Sequence, residues 1–490
     1  MTAYDELMSF VRETEALSAV AGRTGWDQET MMPSGAAEQR GEEMAALEGV
    51  LHARRTDPRI GDWLEAAAPA DDVAKAQLRE IRRSYERSVK LPARLATELA
   101  RVTSVSQGEW AAARRADDWS AFQGRLAQVV KLKQEEGQAL AAGGDVYDAL
   151  LQDYEPGTTG AEIAALFGGL RPRLVALRER ILGSGTTAPQ LSGDFAEAAQ
   201  LKLAERLAVT FGYDLSKGRI DKAVHPFSSG SGMDVRITTR TDPADPFNCF
   251  YSTIHEVGHA TYEQKVDPAY LLTPLGSGAS MGVHESQSRI YENQLGRSRA
   301  FTSWLFHQMQ ETFGDLRVGG PDDFYAAVNR VHSGYIRTEA DEVHYNLHVM
   351  LRFDLERALI EGDLAVADLP GAWNERFARD FGVAVDKPSN GVLQDVHWPV
   401  GLFGYFPTYS LGNVYAGCLH RALREAVPDL DAQLAEGDLS AALAWLAENL
   451  QQHGSRYVPR ETVARACGAE PEAGPLLDYL EEKFGAIYGF

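Results

Sequence analysis

The stretch Phe250-Tyr251-Ser252-Thr253-Ile254-His255-Glu256-Val257-Gly258-His259-Ala260-Thr261-Tyr262 sets two histidines four apart in mostly apolar surroundings. Positions i and i+4 share one face of an α-helix, so both imidazoles can reach one point. Apolar residues lead in and follow, so the helix is expected to be buried. A buried His-Glu-His set needs partners or a metal. Neutral imidazoles bind Zn²⁺, and Glu256, one residue along, can address a water at an open fourth position. Gly258 weakens the helix but lets a neighbouring segment come close. The bland reading is a helix with two satisfied histidines and a solvent-facing glutamate.

A third ligand is needed. Glu285 stands 26 residues after His259, in His284-Glu285-Ser286-Gln287-Ser288-Arg289. A second helix returning antiparallel can present its carboxylate to the same ion, and two histidines plus a glutamate form a catalytic zinc set. His284 diverges from its neighbour by about 100° on a helix. It reads either as a partner behind a ligand or facing substrate, or as plain packing. Nine of the twelve histidines lie between His225 and His397, which locates a site in that window. One rival pair is His344-Tyr345-Asn346-Leu347-His348, again i and i+4 but without the glutamate. Arg337, Asp341, His344 or Tyr345, and His348 read as one polar helix face, either solvated or supplying partners and a charged substrate clamp. Zn²⁺ would lower the pKa of its water toward about 7. Glu256 would then take the proton and deliver it to a leaving amine. His397, Tyr405 and Tyr409 are candidate donors to the oxyanion.

The surrounding chain is long, 490 residues, with ordinary apolar and charged content. A net charge of −22 argues against a nucleic-acid partner. Three scattered cysteines suggest neither disulfides nor a cysteine zinc site. The first residues, with Asp5, Glu6, Glu13 and Glu15, do not read as a secretory signal, and no apolar run is long enough for a membrane span. The expected compartment is a reducing cytoplasm. Helices are expected over 41–53, 93–115, 119–142, 161–182, 195–211 and 436–452. Thr159 and Asp118 are read as N-caps, and Pro321 as a helix start. The clearest strand is Met233–Thr241, where Val235 and Ile237 alternate with polar residues. The expectation is a mainly α chain with a small β-sheet.

Several ordered motifs accompany the histidine pair. They are Gly25-Trp26-Asp27-Gln28-Glu29-Thr30-Met31-Met32-Pro33, His225-Pro226-Phe227, Asp234-Val235-Arg236-Ile237-Thr238 and His284-Glu285-Ser286-Gln287. Ile336-Arg337-Thr338-Glu339-Ala340-Asp341 and Gly391-Val392-Leu393-Gln394-Asp395-Val396-His397-Trp398 complete the set. On these residues the chain resembles the Taq-type, or thermostable, metallocarboxypeptidases over nearly its whole length. The resemblance implies zinc ligands His255, His259 and Glu285, one ion per subunit, with Glu256 as general base and proton shuttle. It implies a large helical zinc-peptidase fold similar to the neurolysin-like enzymes. That fold would be a single domain over 1–490, two lobes flanking a deep substrate groove, with the small sheet beside the HExxH helix. It also implies release of single residues from peptide C-termini with broad preference, and a homodimer.

Beside that resemblance the motifs have physical readings. The strand at Asp234–Thr238 is expected to edge the cleft, where its backbone can pair with an extended peptide. Arg236 and Arg337 are candidates for the substrate's free carboxylate, because a guanidinium can bind it bidentately. Arg337 is preferred, against a plain pairing with Asp341. Asp395 is read as orienting a zinc ligand and His397 as facing substrate, or the segment as a packed turn. Co²⁺ or Mn²⁺ can substitute at such ligands. The alternatives are a zinc oligopeptidase, cutting internally or releasing dipeptides, and a catalytically silent peptide-binding protein.

Overall fold

The computed structural model describes residues 2–490, and the chain is mainly helical with one small sheet. Helices occupy Ala37–Arg55, Ala93–Ala116, Ser120–Ala141, Gly160–Gly183 and Glu197–Thr210, close to the expected spans. Thr159 caps its helix with a reciprocal bond to Glu162, so two donors at the exposed helix end are satisfied together. Asp118 accepts from the Ala121 amide, one residue outside the capping position itself. Pro321 opens Pro321–Val328, where its missing N–H costs nothing. The expected helix over 436–452 is shorter: Ser440–Asn449 is α-helical and a 3₁₀ turn follows at Gln451–His453.

The sheet has three strands, β1 (Ile220–Lys222), β2 (Ser228–Ser231) and β3 (Asp234–Thr239), in the order β1-β3-β2. β3 runs parallel to β1 and antiparallel to β2. The strand read from the sequence is therefore the central one, not an edge. Both of its ladders are occupied, and it has no row of backbone groups left to hold a peptide. Val235 and Ile237 are fully buried, which explains why the strand with the clearest alternation is the middle one.

The chain divides into two compact units, each built from three segments. The first comprises the chain up to Val89, Pro189–Val328 and Cys418–Pro471, and the second comprises Lys90–Ala188, Asn329–Gly417 and Glu472–Phe490. In the first, the sheet and the helix Pro246–Lys265 pack together, with Phe250, Ile254 and Val257 fully buried. In the second, the helix Glu342–Glu361 is the centre, with Leu347, Leu351 and Leu355 sealed from solvent.

Candidate metal centre

The helix Pro246–Lys265 starts with Asp245, which accepts from the Phe247 amide, and with a proline at its first position. These fix the helix start nine residues before His255, so that His255 and His259 project from one face. The helix Met281–Arg289, capped by Ser280, lies against it. The approach is closest at Gly258: a Cβ there would stand 2.5 Å from Ser288 Cα and 2.6 Å from the Gln287 carbonyl oxygen. Only a residue without a side chain allows this spacing, and the spacing brings Glu285 to the histidines. Glu285 Oε2 lies 3.9 Å from His255 Nε2 and 3.6 Å from His259 Nε2. One ligand atom from each of the three residues falls within 4.8 Å of the others.

The other nitrogen of each ring is occupied. His255 Nδ1 stands 2.9 Å from Glu292 Oε2. His259 Nδ1 stands 2.7 Å from His284 Nδ1, and His284 Nε2 stands 2.8 Å from Glu263 Oε1. A carboxylate only accepts, so His255 Nδ1 carries a proton and its Nε2 keeps a lone pair. By the same logic His284 donates to Glu263 through Nε2 and accepts from His259 through Nδ1. His259 Nε2 is then also a lone pair. Both lone pairs are on the side of Glu285 Oε2, as a metal ion requires.

The electrostatics agree with this arrangement. Burial works against charge on His255, but Glu292 and Glu285 outweigh it and raise its pKa. Burial, with His284 and His255 nearby, holds His259 well below the usual imidazole range and neutral. Glu292 is pulled far down despite burial, by His255, Arg289 and Arg297. Glu256 is buried, and desolvation pushes its carboxyl up to about 7. Glu292, Glu263 and Arg289 were not singled out from the sequence. For Arg289 and Glu292 the signal is spacing, since Glu285, Arg289 and Glu292 are i, i+4 and i+7, one stripe of alternating charge; Glu263 stands on the other helix, four residues after His259.

The remaining candidates fall elsewhere. Arg236, in the first unit, has its guanidinium held bidentately by Asp234 at 2.8 and 3.0 Å and lies 4.4 Å from the Trp26 ring centre. In the second unit Arg337, Asp395, His397, Tyr405 and Tyr409 come together. Arg337 donates twice to Asp395 Oδ1, at 3.0 and 2.9 Å, and to the Tyr345 hydroxyl. Its partner is Asp395, not Asp341. His397 Nε2 is 3.1 Å from the Tyr409 hydroxyl, and its ring packs on Tyr405 and Phe406. Asp395, read as orienting a zinc ligand, instead bonds Arg337 and Arg352. Asp341 caps the helix Glu342–Glu361 and bonds His344 Nδ1 at 2.8 Å. Arg337 stands in a 3₁₀ turn before that helix, so the expected polar face is not one helix, and it is buried rather than solvated.

Comparison with known proteins fits this geometry. The model of the carboxypeptidase Taq (M32) metallopeptidase family matches residues 6–484. The chain belongs to that family. It is a carboxypeptidase, hence a hydrolase, and membership implies a divalent metal and peptide substrates. Thermostable carboxypeptidase 1 of Thermus thermophilus is 43% identical over 99% of both chains. Carboxypeptidase 1 of Bacillus subtilis is 33% identical over 99% of this chain and 98% of its own. Among solved structures, the M32 carboxypeptidase of Deinococcus radiodurans superposes with a TM-score of 0.96 at 38% identity, each chain fully covered. Metallocarboxypeptidase 1 of Trypanosoma cruzi gives 0.96 at 33% identity, covering 98% of this chain and 99% of its own. No described helix of this M32 carboxypeptidase is long and apolar enough to cross a membrane.

Proposed function

We propose that this M32 carboxypeptidase is zinc-dependent and removes single residues from peptides with a free C-terminus, with broad preference. The observation that carries the reading is the convergence of two imidazole lone pairs and Glu285 Oε2, each ring backed by a half-buried hydrogen-bond partner. His255, His259 and Glu285 would hold one ion per subunit. Two nitrogens and one carboxylate oxygen suit Zn²⁺, and Co²⁺ or Mn²⁺ as substitutes. When bound, the ion supplies Lewis acidity toward the scissile carbonyl and acidifies a water.

The chain's own groups do the rest. Glu256, next to His255 on the same helix, takes a proton from the attacking water and delivers it to the leaving amine. A carboxyl whose environment holds it near neutrality suits both halves of that exchange. Arg337 is assigned to the substrate's terminal carboxylate on residue type, since a guanidinium can bind a carboxylate bidentately; to do so it shares donors now given to Asp395 and Tyr345. Arg236 is the second candidate; Asp234 engages its guanidinium as Asp395 engages that of Arg337. His397, Tyr405 and Tyr409 offer hydrogen bonds to substrate oxygens. The working form we propose is a cytoplasmic homodimer; the free thiols of Cys249, Cys418 and Cys467 suit a reducing compartment.

Digestion of a peptide and its C-terminally amidated twin, by wild type and by Glu256→Gln, tests the reading. The expected result is stepwise loss of single terminal residues, absent for the amide and for the variant. Internal cleavage of both peptides, or release of dipeptides, would replace it with an oligopeptidase. Binding of both without cleavage by wild type would point to a peptide-binding protein.

A further inference from the structure

The carboxylate of Glu285 has two oxygens, and the structure gives them different surroundings. Oε2 faces the two histidines. Oε1 accepts from Arg289 Nε at 2.7 Å, one helical turn further along Met281–Arg289. Both side chains are largely shielded from water, Glu285 at 6% exposure and Arg289 at 13%. The same guanidinium reaches Glu292 Oε2 through NH1 at 3.3 Å. Glu292 is the group behind His255, and Arg297 donates to its other oxygen at 3.2 Å. Arg289 therefore joins a candidate ligand to the carboxylate that orients another candidate ligand.

We propose that Arg289 is a positioning residue that makes Glu285 meet the metal through one oxygen only. The inference rests on the metal reading above. A carboxylate can bind an ion through one oxygen or through both, and the choice depends on whether the second oxygen is otherwise engaged. With Oε1 committed to Arg289, Glu285 contributes one donor atom and the protein three in all. The remaining positions stay open for water and for a substrate carbonyl. Arg289 also sets where Oε2 points, because a guanidinium fixes its partner in plane and at a defined distance. A lysine would keep the charge but not the fork, so it could not hold Glu285 and Glu292 together in the same geometry.

Arg289 stands where the α-helix passes into the π-helical turn Ile290–Leu295. The turn begins directly after Arg289 and carries Glu292, so the pair spans the junction of the two helical forms. Sequence spacing brings Glu285, Arg289 and Glu292 to one stripe.

Cobalt loaded into the apoprotein of the full chain tests the proposal, because its visible absorption weakens as coordination number rises. Wild type, Arg289→Gln, Arg289→Lys and Glu285→Ala would be compared, with zinc affinity by chelator competition and melting of the apoproteins. The expected result for Arg289→Gln is absorption per bound cobalt reduced at least about twofold, with zinc affinity changed roughly 10–100-fold. Arg289→Lys is expected to fall between, and it serves as the informative variant if the glutamine form does not fold. A wild-type cobalt spectrum in both Arg289 variants overturns the proposal even if their apoproteins melt earlier, since a merely structural arginine would lower stability alone. A wild-type spectrum in Glu285→Ala removes the proposal together with the ligand assignment beneath it. A changed spectrum in Glu285→Ala but not in the Arg289 variants removes the proposal and leaves the assignment standing.

Discussion

His255/His259 and His344/His348 are the same pattern twice: histidines four apart on one face of a buried helix. They differ in what faces them. The first pair meets Glu285, and its rings are keyed by Glu292 and His284. In the second pair, His344 is tied to Asp341, the cap of its own helix, and its ring stacks on Phe381. His348 packs on Phe377 and Phe381 and lies 3.4 Å from Arg352 NH1. Burial and neighbouring cations drive its pKa well below the ordinary value. Arg352 beside His348 repels a second cation, whereas at His255 the carboxylates of Glu292 and Glu285 outweigh the guanidinium of Arg289. Spacing makes a bidentate histidine pair possible; the charge of the neighbours decides whether it can hold an ion.

The sharpest way to break this contrast is substitution of one histidine from each pair. His259→Ala is expected to abolish stoichiometric metal binding, and His348→Ala to keep it, as read by metal content after dialysis. Glu256→Gln is expected to keep the metal and lose about 10²–10⁴-fold in kcat. Loss of metal in that variant would show that Glu256 is structural.

The second cluster has a different vulnerability. Asp395 sits between Arg337 and Arg352, all three largely buried. Burial opposes its charge, but the two guanidiniums win and hold its carboxyl far below the usual range. A carboxyl depressed on folding stabilises at pH above its unfolded value and loses that contribution as the pH falls below about 4. Asp395→Asn leaves two buried cations with one partner fewer, at a cost of about 3–5 kcal/mol in denaturant unfolding. It should also flatten the acid limb of the stability profile, with metal binding unchanged.

Gly258→Ala probes the metal helix from behind. Alanine is the better helix former, yet its Cβ has no room against Ser288. The expected result is a loss of about 1–3 kcal/mol, with weakened metal affinity because Glu285 is pushed away. A gain in stability would mean that the two helices separate freely.

The smallest effect concerns Glu356, fully buried and accepting from Tyr147, Trp398 and the Gly404 amide. Burial outweighs these donors and pushes its carboxyl up to about 8. A group raised on folding stabilises fully below its unfolded pKa, near 4.5, and this is lost as pH rises through about 8. Glu356→Gln, neutral throughout, should gain on wild type between about pH 5 and 9 in denaturant midpoint. Parallel profiles would mean that the three donors hold the carboxylate charged.

Much of this was readable from residue types. The helices over 93–115, 119–142 and 161–182 are long and regularly patterned, and the last carries a local N-cap in Thr159. The histidine pair and Glu285 were readable because helix geometry links i to i+4 and because a metal needs a third donor. Position within the sheet was not: β3 alternates as an edge strand would, and its place in the middle depends on β1 and β2, which are too short to be seen as strands. The partner of Arg337 was also hidden. Asp341 was nearest in sequence, but the chain turns before the helix, and Asp395, 58 positions away, takes the contact. Arg289 and Glu292 lay in plain view as a charged stripe, but opposite charges on a helix usually mean a solvated face.

The first unit is made from three separated stretches, and its last, Cys418–Pro471, holds Gln451, which donates to Gln287 at 3.0 Å beside Glu285. On the ribosome, a chain emerges from its N-terminus and complete units fold first. Here His255, His259 and Glu285 are synthesised long before the segment that supports them. A message truncated before codon 418 would yield a chain with every metal-facing side chain and no finished shelf to hold them. Translation therefore runs past codon 451 before the contact between Gln451 and Gln287 can form.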